Sequence, residues 1–219
     1  MMLLKVIEMK YDDLIYDILK EVFNIGVGKA ADMLSEIIDK KILLDVPSIK
    51  IIEPDNKDVE FDEFFYKGIK GTWMVSSICF EEKINGEANL IFPAEKTRSI
   101  INFCTKQEDE NIGNDLEFTD IDYDIVRELG NIILNSIIGE MGNFLDINLE
   151  YTLPNVRLFN RMDFENDIKD RRDLSLLMLS ISFILDDTEI EGAIIISLTI
   201  NSLNEVINII KRMEVELNE

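Results

Sequence analysis

Apolar residues recur between positions 12 and 38 at Ile15, Leu19, Val22, Phe23, Ala30, Met33, Leu34 and Ile37, the three-and-four spacing of a helix with one buried face. Asp12 or Asp13 can cap its start. Beyond this helix the pattern changes to short runs rich in β-branched and aromatic residues, at 46–52, 71–80 and 88–92, which predict strands. Asn85-Gly86 between the last two is a tight-turn signal for a hairpin. A shorter helix follows over about 93–104, with Pro93 suited to its first turn.

The same order of elements then returns. A long helix is predicted over about 122–144, strands near 149–159, 174–185 and 193–199, and a last helix over 202–215. Residues 55–63 and 162–173 are charged and read as surface loops at equivalent places in the two halves. Between the halves, 106–117 has the acidic, polar composition of a linker. The chain is therefore expected to be one domain over 1–219, built of two repeats at about 11–105 and 118–215. The expected fold class is α+β: two long and two shorter helices packed on a largely antiparallel six-stranded sheet, with pseudo-twofold symmetry.

Composition narrows the chemistry. The 219 residues are 47% apolar, enough for a substantial core, and carry a formal charge of −22. Such a chain is expected to bind neither nucleic acid nor an anionic membrane surface, because both select net positive charge. There is no His, which removes the usual general base, the commonest metal ligand and any His-dependent nucleophile. Cys79 and Cys104 are too few for a disulfide framework or a zinc site and read as buried thiols in a reducing compartment. Neither a secretory signal nor a run of about 20 apolar residues is recognisable, so a cytoplasmic location is expected.

One constellation stands out against this background. Asp17, Glu21, Asn24 and Gly28 fall within roughly a 60° arc of the first long helix at about 100° per residue, opposite the apolar stripe. A single polar stripe ordinarily means a solvated helix face. However, Asp124, Glu128 and Asn131 repeat the spacing 107 residues later, and Pro47 and Pro154 each lie 23 positions beyond their Asn. Core packing preserves apolar periodicity, not a polar set, so the recurrence points to chemistry. The prolines also have a plain structural role, since Pro ends helical structure where the chain turns into a strand. Gly28 has Asn135 as its counterpart and so carries no catalytic assignment; it serves packing at most. Gly26-Val27-Gly28 lies inside a helical pattern with no preceding strand, unlike a phosphate-binding loop. The acidic run at 55–63 lacks the ligand spacing of a calcium loop.

The pattern Asp-x3-Glu-x2-Asn-x22-Pro is similar to the active-site signature of the CheC/CheX/FliY chemotaxis phosphatases, and it is met twice, from Asp17 to Pro47 and from Asp124 to Pro154. Two copies in one chain resemble the two-site CheC type. The resemblance implies a phosphatase acting on the aspartyl phosphate of a CheY-type response regulator. Asn24 and Asn131 are then expected to position the attacking water, and Glu21 and Glu128 to contact the receiver lysine. Asp17 and Asp124 are weaker, substrate-binding candidates, and Pro47 and Pro154 complete the signature. No metal or cofactor of the chain's own is implied, since Mg²⁺ belongs to the receiver. The resemblance further implies a monomer, and the CheD deamidase as a second partner; a non-catalytic binding module for either protein is the alternative reading.

Overall fold

In the computed structural model, residues 11–53, 71–105, 117–171, 173–185 and 188–217 are described. Among them are five helices and eight strands: α1 (Asp13–Ile38), β1 (Ile42–Asp45), β2 (Ile49–Ile52), β3 (Thr72–Glu82), β4 (Gly86–Pro93), α2 (Ala94–Thr105), α3 (Asp120–Leu145), β5 (Leu149–Tyr151), β6 (Asn155–Asn160), α4 (Arg161–Asp170), β7 (Leu174–Leu185), β8 (Thr188–Thr199) and α5 (Ile200–Leu217). The fold is α+β, as expected, and the strand pairings of the sheet are all antiparallel. The acidic stretch 55–63 and most of the linker, 106–116, lie outside the described residues.

Eight strands replace the expected six because each signature proline interrupts a strand. Of the expected 46–52 only 49–52 is strand, as β2; β1 at 42–45 precedes the expected run and was not foreseen, with Pro47 in the gap between them, while the expected 149–159 becomes β5 and β6 with Pro154 in the gap. Proline has no N–H to give to a ladder, so the chain breaks pairing there instead of ending a helix. These broken strands form the two edges. The sheet runs β1-β7-β8-β4-β3-β5, with β2 also on β7 and β6 also on β3. Each half thus lends its broken strand to a long strand of the other half: Leu44 lies opposite Phe183, and Leu158 opposite Met74. Short edges interrupted by proline are poor templates for further pairing.

One sheet face carries the main core, in which Phe23 and Val27 of α1, Ile133 and Ile137 of α3 and Val206 and Ile210 of α5 pack on Ile78, Leu177, Leu179, Ile194 and Ile196. Gly26 brings α1 against α3, since a Cβ there would lie 2.9 Å from the Ile137 Cα, whereas Gly28 has open space and is not the packing glycine. Gly130 brings α3 onto the sheet, with a Cβ there falling 2.7 Å from the Ser76 Cβ. Met33 and Ile37, expected in the apolar stripe, are exposed; Val27, Ala31 and Ile38 are buried instead, as the contact face drifts around the helix.

The opposite face holds a smaller core under α4, where Phe164 and Ile168 cover Trp73, Val75, Ile91, Met178 and Ile195. The charged stretch 162–173, expected as a loop, is mostly this helix. Its start is capped by Asn160, whose side chain accepts from the Met162 N–H at 3.0 Å. Cys79 lies on this face and is exposed rather than buried, and Cys104 is half-buried; both are free thiols. No helix among the described residues is long and apolar enough to cross a membrane.

Candidate functional site

The two signature helices begin and end in fixed ways. On α3, Thr119 accepts from the Asp122 N–H while the Asp122 carboxylate accepts from the Thr119 N–H at 2.8 Å, a reciprocal cap that starts the helix two residues before the expected 122. Asp122 also meets Arg98 of α2 at 2.9 Å. Burial would raise the Asp122 pKa, but the Thr119 bonds and the Arg98 guanidinium outweigh it and hold the carboxyl below its usual range. On α1, Asp12 occupies the cap position without a side-chain hydrogen bond. Both helices end at an aspartate in the left-handed region, Asp39 (φ 57°) and Asp146 (φ 54°), 107 residues apart.

Asp17 and Glu21 on α1, and Asp124 and Glu128 on α3, are exposed. Asp124 is paired with Arg127, one turn further on. Asn24 and Asn131 are half-buried, each one turn beyond its Glu, a spacing that sets Cβ atoms about 5–6 Å apart. Each helix therefore places a carboxylate and an amide side by side at its surface, out of the hydrophobic interior.

The amides are held by different partners. The Asn24 Oδ1 accepts from the Val46 N–H at 2.9 Å. Val46 is fully buried in the gap between β1 and β2, where its N–H has no ladder partner, and the Asn side chain supplies the acceptor a buried N–H requires. At the second site the gap is turned the other way: Val46 faces in and Pro47 out, but Leu153 is 86% exposed and Pro154 buried. Instead, Thr152 of this segment binds Cys79 of β3, accepting from its N–H at 2.9 Å and donating to its carbonyl at 3.0 Å. The Asn131 Oδ1 accepts from Asn135 Nδ2 at 2.8 Å, and the Asn135 Oδ1 is buried without a protein partner. At both sites the amide oxygen is engaged internally and the –NH₂, a two-proton donor, has no protein partner among the described residues. Val46 and Asn135 are the site components that the sequence reading missed. Asn135, one turn after Asn131, carried a readable signal; a backbone N–H from a strand gap did not.

Lys29 of α1 and Glu140 of α3 form an ion pair that ties the signature helices together beside Gly28. No cluster of three or more His, Cys, Asp or Glu suited to a metal ion occurs among the described residues.

Comparison with known proteins places this architecture. A sequence model of the CheC-like family matches residues 14–51, the stretch from the start of α1 to β2 that contains Asp17, Glu21, Asn24 and Pro47. The chain is 28% identical over 150 residues to the CheY-P phosphatase CheC of Bacillus subtilis (strain 168), a match that covers 65% of each protein. The fold is that of Thermotoga maritima FliY (TM-score 0.72, 19% identity, covering 93% of this chain and 99% of that one). It is shared with the FliM middle domain from H. pylori (TM-score 0.62, 8% identity, covering 91% and 99%).

Proposed function

We propose that this chain, which is similar to the CheC-like family over residues 14–51 and to the CheY-P phosphatase CheC over 150 residues, hydrolyses the aspartyl phosphate of a CheY-type response regulator in chemotaxis signalling. The observation that carries the reading is the pair of Asn amides, Asn24 and Asn131, whose –NH₂ groups have no protein partner among the described residues, each one turn from an exposed glutamate. The fold alone does not carry it, since one fold hosts different functions.

In this reading Glu21 or Glu128 docks against the active-site lysine of the receiver, a charged hydrogen bond worth about 1.5–3 kcal/mol. Asp17 and Asp124 frame that contact. The neighbouring Asn donates from its –NH₂ to the oxygen of one water and sets it in line with the phosphorus, a gain in proximity that needs no ionisation. Water attacks phosphorus and the P–O bond to the acyl oxygen breaks. The aspartate leaves as carboxylate and the water proton ends on inorganic phosphate. The receiver contributes Mg²⁺ and lysine to neutralise charge in a largely dissociative transition state, so this chain brings no metal of its own.

The test is the half-life of a receiver phosphorylated by a small-molecule phosphodonor in Mg²⁺, with and without this protein. Wild type should shorten it, and N24D/N131D, which keeps an acceptor oxygen but removes the –NH₂, should not. A receiver half-life indifferent to the wild-type protein would end the proposal.

A second reading has one observation in its favour. The bond from the Val46 N–H gives Asn24 a structural duty independent of catalysis, as a non-catalytic module that binds the receiver or the CheD deamidase would need. That module would retain phospho-receiver and leave its half-life unaltered.

A further inference from the structure

Among the described residues, eleven large hydrophobic side chains are exposed, and only two of them, Leu14 and Ile121, stand 107 residues apart, the offset that relates the two signature copies. Each is the second residue of its helix, three positions before the signature aspartate. At about 100° per residue, Leu14 falls within roughly an 80° arc with Asp17, Glu21 and Asn24, and Ile121 does the same with Asp124, Glu128 and Asn131. Scattered exposed hydrophobics need no explanation, but an aliphatic side chain kept at the same place on both active faces does. Leu14 is 40% exposed and Ile121 70%. Both sit among acids: Asp12, Asp13 and Asp17 around the first, Asp120 and Asp124 around the second.

We infer that Leu14 and Ile121 are apolar docking residues for the receiver, seating an aliphatic or aromatic side chain of its surface that is bordered by Lys or Arg. The inference rests on the phosphatase reading and adds to it the outer end of the contact. At about 1.5 Å per residue, Leu14 lies about 15 Å along the axis from Asn24. Such a contact is made equally in the ground and transition states, so it sets receiver affinity and leaves the water-positioning step alone. The acidic border supplies charge complementarity to the basic border of the partner, which selects the partner and speeds encounter.

Steady-state dephosphorylation of a CheY-type receiver by the full chain tests this, with folding of every variant checked by thermal melting. L14S/I121S should raise KM about tenfold, the equivalent of losing one desolvated aliphatic contact, with kcat within about twofold of wild type. L14M/I121L should restore KM. An unaltered KM in folded L14S/I121S, alongside the loss of activity in N24D/N131D, would overturn the docking role and leave the phosphatase reading standing. Wild-type activity in N24D/N131D would remove the mechanism on which the inference rests. Dimerisation of the wild type that L14S/I121S abolishes, seen by sedimentation, would make a second copy the occupant and overturn it as well.

Discussion

The side-chain oxygen of Asn24 accepts the backbone N–H of Val46 at 2.9 Å, so the amide assigned to water also closes the gap that Pro47 opens in the edge strand. One bond links the two ends of the signature. It fixes which end of the amide is available: the oxygen is taken, and the –NH₂ is left to donate.

That dual role separates two substitutions. Asn24→Ala leaves a fully buried N–H without an acceptor and should destabilise the protein by about 1–3 kcal/mol. Asn24→Asp keeps an acceptor oxygen and should recover most of that loss in urea unfolding while remaining without phosphatase activity at the first site. If N24D behaves like N24A in stability, the bond to Val46 does not have the weight given to it.

The second site depends on Asn135 in the way the first depends on Val46. In an Asn24→Ala background, where only Asn131 remains, Asn135→Ala frees the Asn131 side chain to leave its rotamer and should lower the dephosphorylation rate about tenfold, the scale of a small misplacement of a positioning group. In an Asn131→Ala background the same substitution should have no effect on rate. Equal effects in both backgrounds would show that Asn135 acts on the fold at large.

How far these features were legible follows from where their causes lie. The long helices and the β3–β4 hairpin were readable because apolar period and the Asn85-Gly86 signal are local, although the connection is 83–85 and Gly86 is already paired in β4. Pairing of β1 and β2 with β7 was not, since partner choice is made between segments more than a hundred residues apart. Helix α4 was hidden because only Phe164 and Ile168 mark its buried face among charged residues. The strand gaps were hidden because the β-rich runs at 46–52 and 149–159 continue across their prolines. At the site, helical geometry gave the shared face of Glu21 and Asn24. The engagement of each amide oxygen depends on which way the neighbouring gap turns, and Val46 and Leu153 turn opposite ways at corresponding positions.

Acid should loosen the start of α3. The Asp122 carboxyl is held below its usual range because, against the effect of burial, it accepts from Thr119 and pairs with Arg98. A depressed folded-state pKa means stability that is fully present above the unfolded carboxylate value of about 4 and is lost as pH falls through the folded value. Asp122→Asn should therefore be less stable than wild type by about 1–3 kcal/mol at pH 7, with the difference shrinking steadily as pH drops below about 4. A difference that stays constant from pH 7 to pH 2 in chemical unfolding would refute the role of the charge.

The ends of the signature helices offer room for stabilisation. Asp39 and Asp146 both adopt the left-handed conformation, and in both cases the next residue donates back into the last turn, Lys40 N–H to the Ser35 carbonyl at 3.3 Å and Ile147 N–H to the Gly142 carbonyl at 2.9 Å. This is the helix-ending motif that glycine ordinarily completes, because a Cβ is penalised at positive φ. Both aspartates are exposed and make no side-chain hydrogen bond among the described residues, so their removal forfeits little, and taking a negative charge from the C-terminal end of a helix dipole is itself favourable. Asp39→Gly and Asp146→Gly should each raise stability by about 0.5–1 kcal/mol after the larger backbone entropy of unfolded glycine is counted. At about 2–4 °C per kcal/mol for a protein of this size, D39G/D146G should melt a few degrees above wild type. A lower melting temperature in the double variant would mean that the aspartates hold these ends in a way the hydrogen bonds do not reveal.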